Sequence, residues 1–149
     1  AGNKPTSYEM QVDNTGDQKD KTIFVIKSGA DTIYGFGTLM KYSPPGDYLG
    51  KRIRMTGNMK SKDVTEWAGF WLRVDGQDNT QLAFDNMHDR PIKGTTEWNT
   101  YEIVLDVLAP AKNIAFGALL SGNGQIWFKD PTFEIVGNDV PTTSDNNNR

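Results

Sequence analysis

Apolar and polar residues alternate with a period of two along most of the chain. In RIRMTGNMK (52–60) every second residue is apolar or glycine, and WAGFWLRV (67–74) and TYEIVLDV (100–107) repeat the alternation. Because side chains on a β-strand point alternately to opposite faces, this period predicts strands with one face in a core. No window shows a helical period, so we predict that strands build the domain.

Turn residues separate these runs of alternating residues. Asp75-Gly76 is a strong hairpin signal, and the pair Pro44-Pro45 cannot donate hydrogen bonds within a sheet. We predict an all-β fold, an antiparallel sandwich of about eight or nine strands with no obligatory helix. The polar composition of the two ends predicts a flexible segment at residues 1–7, a folded domain at residues 8–136 and a disordered tail at residues 137–149.

Composition and charge exclude several classes of function. The chain has 149 residues and a net charge of −3, with one histidine and no cysteine. The negative charge argues against nucleic-acid binding by this domain, and without cysteine there are no disulfides, thiolate metal ligands or thiol nucleophiles. No apolar run is long enough to span a membrane as a helix. A chain that starts at Ala1 suits a processed form or a domain of a larger protein. The compartment stays open, with an extracytoplasmic location favoured.

Three stretches together resemble a known superfamily. They are SYEMQVD (7–13), GTTEWNTYEIVLDV (94–107) and GQIWFKDPTFEIV (124–136). The central block from WAGFWLRVDG to AFGALLSGNGQIWF (67–128) narrows the resemblance to one group. This layout resembles the jelly-roll β-sandwich modules of the galactose-binding-like and carbohydrate-binding superfamily, and within it a bacterial group of accessory domains attached to regulators and hydrolases. The resemblance implies a jelly-roll topology. Many relatives carry two aspartates in the closing strand, whereas Lys129 precedes Asp130 here, which argues against a structural calcium site at that pair.

The stretch FDNMHDRPIKGTTEW (84–98) collects reactive residue types around His88 without the partners that catalysis needs. Zinc sites use several convergent His or Cys ligands, and a catalytic triad needs an activated serine, which the context of Ser121 does not supply. The alternative is that Asp85, Asn86, Asp89 and Arg90 order a long connection between strands, with Arg90 paired to Asp85 or to Asp89. We favour that structural interpretation.

The same stretch carries two further expectations. Its second half is predicted to be a turn with Trp98 packed beneath it. Its first half stays open as the rim of a ligand site, because loops at the end of a sandwich often bind ligands.

Acidic residues do not form a catalytic pair at the sequence level. Glu102 and Asp106 lie four residues apart on one strand face, which favours a solvated face over the matched acids of a glycosidase. The turn VDGQDN offers Asp75, Asp78 and Asn79 as oxygen ligands, but a plain hairpin turn is favoured over calcium. We therefore predict a non-enzymatic domain with no cofactor, a structural calcium ion being the lesser alternative.

Tryptophans on one strand face are the strongest binding signal. Trp67 and Trp71 point the same way, with Arg73 extending the face and the missing side chain of Gly69 expected to leave a slot. Trp127 shares their parity in a later strand. The alternative is that this face is buried beneath a loop.

We predict a non-catalytic module that binds carbohydrate or another polyhydroxylated ligand. The alternative is an accessory or effector-sensing domain of a larger regulator or enzyme, acting through protein contacts or a small molecule. Neither function involves nucleic acid or a membrane at this domain. The predicted ligand-binding residues are Trp67, Trp71, Arg73, Trp127, Asn86 and Arg90.

Overall fold

The residues that the structure describes form nine antiparallel strands. The computed structural model describes residues 8–13, 22–29 and 35–144, and no α-helix occurs among them. None of these residues forms a helix long and apolar enough to cross a membrane. In chain order the strands are β1 (Tyr8–Asp13), β2 (Ile23–Ser28), β3 (Phe36–Ser43), β4 (Lys51–Asp75), β5 (Gln81–Asp85), β6 (Ile92–Val107), β7 (Asn113–Ser121), β8 (Gln125–Lys129) and β9 (Thr132–Val136).

Strand β4 passes from one sheet of the sandwich into the other. Its residues 51–62 pair with β6 on one side and with β8 and β9 on the other, and β2 and β1 follow beyond β8. Its residues 67–75 pair with β7 and β5, and β3 follows beyond β7. We call β1-β2-β8/β9-β4-β6 the first sheet and β3-β7-β4-β5 the second sheet. Asp63, with φ 54°, lies between the two parts of β4.

The core between the sheets contains the residues that the period of two assigns to it. Ile53, Met55 and Met59 from the first part of β4 are buried against Phe70 and its neighbours from the second part. Gly57 makes room for this contact, because a β-carbon there would lie 2.6 Å from Cζ of Phe70. The alternation therefore predicted the inward face of β4 correctly.

The predicted fold class is confirmed, and two local predictions change. The stretches 52–60 and 67–74, read as separate strands, belong to the single strand β4. Strand β6 begins at Ile92, so KGTTEW is strand rather than turn, and Trp98 is a half-buried strand residue. Gly94 supplies a positive φ of 68° within this strand, where β6 follows the irregular part of β4.

The segment after β9 packs on the first sheet as far as Ser144. Arg52 donates from Nη1 to the carbonyl oxygen of Val140 at 2.7 Å. Thr143 exchanges two hydrogen bonds of 2.9 Å with the backbone of Val104. These contacts attach residues 137–144 to the domain, although their polar composition predicted a loose tail. The predictions for residues 1–7 and 145–149 lie outside the described residues.

Tyr8 fastens β1 to the end of the second sheet. Its hydroxyl group lies within hydrogen-bond distance of two carbonyl oxygens, Gly35 at 3.0 Å and Gly122 at 2.8 Å. Burial raises the pKa of the phenol to about 12, with a further contribution from the charge of Glu66. The neutral phenol is therefore the form that the folded domain stabilises.

Candidate functional site: a tryptophan-lined groove on the second sheet

The outer face of the second sheet carries a groove of about 420 Å³. Strands β3, β7, β4 and β5 form its floor, and its lining is mainly apolar, as is usual for ligand sites in proteins. The lining residues are Phe36, Thr38, Met40, Trp67, Trp71, Arg73, Phe84, Asn86, Leu119 and Ser121.

Trp71 is the fixed floor of the groove. Only 6% of the residue is exposed, and its indole Nε1–H donates to Oγ1 of Thr38 at 2.8 Å. The Thr38 hydroxyl in turn donates to the carbonyl oxygen of Ala118 at 2.7 Å. Gly117, the cross-strand neighbour of Trp71, lets β3 come close, since a β-carbon there would lie 1.9 Å from the Leu39 carbonyl oxygen. The indole is thus held in one orientation.

Trp67 is more exposed and forms one end of the groove. Its ring meets that of His88 edge to face, with 5.7 Å between centroids and an interplanar angle of 87°. Beside it, Ser121 donates to a carboxylate oxygen of Glu66 at 2.7 Å. The single histidine therefore supports a groove tryptophan.

Arg73 and Asn86 supply polar groups to an otherwise apolar surface. The Arg73 guanidinium lies 5.8 Å from the Trp71 ring centroid, and its Nε donates to Asp75 at 2.8 Å. The Asn86 side-chain oxygen accepts the backbone N–H of His88 at 3.0 Å. Across the described part of the chain, the Asn86 amide nitrogen has no hydrogen-bond partner, so this donor is available to a ligand.

Gly69 does not leave a slot in the groove. A β-carbon at Gly69 would lie 3.2 Å from Cβ of Met87, whose side chain is fully buried. The Met87 sulfur accepts the backbone N–H of Phe70 at 3.3 Å, and Met87 itself has a positive φ of 62°. The missing side chain instead makes room for the loop between β5 and β6 to close over β4.

Arg90 orders this loop and lies outside the lining of the groove. Its guanidinium donates to Asp85 at 2.8 Å and to the carbonyl oxygen of Glu102 at 3.1 Å, and it pairs with Asp89 as well. The buried Asp85 carboxylate also accepts the N–H of Met87 at 2.9 Å. These contacts agree with the structural interpretation of the histidine stretch and leave Arg90 at most a neighbour of the ligand.

Trp127 lies on the opposite side of the sandwich. Strand β8 pairs with β2 and with the first part of β4, so the outward side chain of Trp127 is on the first sheet. Lys60 Nζ lies 4.7 Å from its ring centroid. The groove therefore brings together Trp67, Trp71, Arg73 and Asn86 from the predicted set, but not Trp127.

Sequence reasoning missed the contribution of β3 to the groove. Phe36, Thr38 and Met40 alternate along this strand, which reveals their common face but not the strand beside it. Their position follows from the pairing of β3 with β7, a strand about 80 residues later in the chain, and no local signal carries that pairing.

Three of the acidic residues considered as candidate acids or ligands lie in ion pairs. Asp106 pairs with Arg52 at 2.7 Å, Glu102 lies 3.6 Å from Arg54, and Asp75 takes the Nε–H of Arg73. Among the residues that the structure describes, no three His, Asp or Glu side chains converge as a metal site would require.

Comparison with known proteins gives one sequence relative and many structural neighbours. The chain is 41% identical over 145 residues to an uncharacterized HTH-type transcriptional regulator of Bacillus subtilis (strain 168), YbfP. The match covers 97% of the chain but 49% of the regulator, so the chain spans about half the length of that relative. No family model matches the chain.

The structural neighbours include carbohydrate-binding modules. One is the C-terminal family 22 module of Clostridium thermocellum Xyn10B, with a TM-score of 0.59 at 9% identity, 89% of this chain and 85% of that chain being covered. Another is the xylan-binding CBM22-1 domain of Paenibacillus barcinonensis Xyn10C, with a TM-score of 0.55 at 10% identity and coverage of 91% and 85%. The chain has the jelly-roll β-sandwich fold of these modules.

Proposed function

We propose that this chain is a non-catalytic module that binds a neutral carbohydrate in the groove of the second sheet. The observation that carries the proposal is that two tryptophans line the groove on one face of the sheet. The indole of Trp71 is fixed by a hydrogen bond, and Trp67 is more exposed. Apolar C–H faces of sugar rings pack on such surfaces, and a few directed hydrogen bonds then select the sugar. The fold shared with carbohydrate-binding modules supports the same function.

The charge distribution in the groove favours a neutral ligand. Arg73 is paired with the buried carboxylate of Asp75, and the carboxylate of Glu66 is beside Trp67 at the groove's end. Among the described residues that line the groove, a sugar acid would find no unpaired cation. The available donors are the Asn86 amide nitrogen and the outward part of the Arg73 guanidinium, which suit hydroxyl oxygens.

A binding experiment with matched tryptophan variants tests the proposal. A glycan array identifies the ligand, and titration calorimetry with it, or with xylohexaose, compares wild type with Trp67→Ala and Trp98→Ala. A sugar ring that covers ~60–80 Å² of indole contributes roughly 1.5–2 kcal/mol, so Trp67→Ala should weaken binding about 10–30-fold. Trp98, which lies in the strand β6 of the first sheet, is the control and should leave the affinity unchanged. Absence of any neutral glycan ligand, or equal losses in both variants, would contradict the proposal.

A second candidate function is an effector-sensing domain of a larger transcriptional regulator. The observation that favours it is the identity of 41% to part of an HTH-type regulator. In that case the groove takes a soluble effector and the response is a change in association with another chain or domain. Light scattering at several protein concentrations, with and without the ligand found on the array, tests this. A ligand-dependent change in mass that Trp67→Ala abolishes would support sensing, and a monomer under all conditions would oppose action through self-association.

A further inference from the structure

The outer face of the first sheet carries a second cluster of aromatic and charged residues, far from the groove. Trp98 in β6 and Trp127 in β8 lie on either side of Lys60 in β4. Lys60 Nζ is 5.6 Å from the Trp98 ring centroid and 4.7 Å from that of Trp127, and Lys129 Nζ is 4.6 Å from that of Trp98. The tryptophan–lysine face consists of Trp98, Trp127, Lys27, Lys60, Lys62 and Lys129.

The two rings fix the positions of two positive charges. An ammonium group within about 6 Å of an indole centroid is attracted by the ring, which restricts a side chain that would otherwise sample many rotamers. Lys60 and Lys129 are also half-buried. Two ammonium groups are thus held near the same Trp98 ring before any ligand arrives, so less entropy is lost when an anion binds.

None of the four lysines on this face is neutralised within the described residues. The ion pairs found among the described residues use Lys41 and arginines as their cations. Among those residues, no carboxylate lies within 4.0 Å of the ammonium groups of Lys27, Lys60, Lys62 or Lys129. Glu9 is the cross-strand neighbour of Lys27 and does not pair with it. In a chain of net charge −3, this is a local concentration of unpaired positive charge.

Uncharged polar groups are interspersed among the lysines. Gln125 lies between Lys62 and Lys27 in the pairing of β4, β8 and β2. Asn58, on the same face of β4 as Lys60, accepts the hydroxyl of Thr100 at 2.8 Å. The face therefore offers amides beside ammonium groups, which matches a ligand that carries hydroxyl groups between its negative charges.

We propose that the tryptophan–lysine face binds an acidic polysaccharide, a polymer whose sugar units carry carboxylates. Lys60 and Lys129 take the carboxylates, while Asn58 and Gln125 take hydroxyl groups. A nucleic acid fits less well, because the ammonium groups lie over the indole faces on which bases would stack, and the net charge of the domain is negative. This site is independent of the groove and does not rest on the neutral ligand proposed there.

The test uses polygalacturonate, with its fully methyl-esterified form as the uncharged probe of the same backbone. Affinity electrophoresis and calorimetry compare wild type with the double variant Lys60→Gln/Lys129→Gln, which should weaken binding to polygalacturonate about tenfold. The matched control is Lys93→Gln/Lys112→Gln, which removes two exposed lysines that do not belong to this face. The variant Lys60→Arg/Lys129→Arg keeps both charges and should retain most of the affinity. Binding should also fall as salt is raised.

Several results would overturn the proposal. They are absence of binding to polygalacturonate at low salt, equal binding to the esterified polymer, and equal losses in the face and control variants. Tighter binding of a single-stranded DNA at the same ionic strength would assign the face to nucleic acid instead. Trp67→Ala, which removes a groove residue, should leave polygalacturonate binding unchanged, so failure of this proposal and failure of the groove proposal are distinguishable.

Discussion

Replacement of Thr38 by valine tests whether the floor of the groove depends on one hydroxyl group. Thr38 Oγ1 accepts the indole N–H of Trp71 at 2.8 Å and donates to the Ala118 carbonyl oxygen at 2.7 Å. Valine keeps the shape and the β-branched character of the side chain but can neither accept nor donate. The change therefore isolates the hydrogen bonds from packing and strand propensity.

The expected cost follows from the burial of the groups left behind. Trp71 is 6% exposed and Thr38 is 8% exposed, so water cannot readily replace the lost partner. An orphaned buried donor costs roughly 1–3 kcal/mol, and we expect Thr38→Val to lower the free energy of unfolding by about 2 kcal/mol. With a urea m-value of ~2 kcal/mol/M, the midpoint of unfolding should fall by about 1 M at unchanged slope.

The assay is urea unfolding followed by circular dichroism, with Thr38→Ser as the control. Serine retains the hydroxyl group and loses one methyl group, so it should lose clearly less stability than valine. A valine variant within about 0.5 kcal/mol of wild type would refute the reasoning, since an orphaned buried indole N–H could not cost so little. Equal losses in both variants would assign the effect to packing instead.

Two further predictions concern the core and β1. Gly57→Ala should lower the free energy of unfolding by about 2–3 kcal/mol in chemical denaturation, because its β-carbon would lie 2.6 Å from the ring of the fully buried Phe70. An unchanged free energy of unfolding would contradict this prediction and show that the ring can shift. Tyr8→Phe should remove part of the pH dependence of the free energy of unfolding. The pKa of Tyr8 is about 12 in the folded domain and about 10 in the unfolded chain. Tyr8 therefore contributes stability below pH ~10, and this contribution is lost as the pH rises through 12. Denaturation of both proteins from pH 8 to 12 measures this, and a gap in stability that stays constant with pH would contradict it.

Local patterns were sufficient for the inward and outward faces of β4 and for the common face of Trp67, Trp71 and Arg73. The period of two assigns inward and outward residues within a strand, and β4 follows it on both sides of its bend at Asp63. Parity does not say which sheet a strand joins. Trp127 has the outward parity that the sequence predicts, yet it belongs to the first sheet because β8 pairs with β2 and the first part of β4.

The alternation of apolar and polar residues also could not predict the conformation of the loop between β5 and β6. The space beside Gly69 is occupied by Met87, which reaches it only because its own backbone adopts a φ of 62°. A methionine seldom takes that conformation, so the sequence gives no reason to expect it. The interactions of Arg90 with Asp85 and Asp89 were predictable because the three residues are neighbours in the chain.

The continuity of β4 has a kinetic consequence. Because one strand of 25 residues belongs to both sheets, neither sheet is complete until this strand has paired with β6, β8 and β9 in the first sheet and with β5 and β7 in the second. In the first sheet, β2 pairs with β8, a strand about 100 residues later in the sequence, so closing this sheet requires contacts of very large sequence separation. Such topologies fold slowly, on the scale of milliseconds to seconds, and the two layers should form and unfold as one cooperative unit.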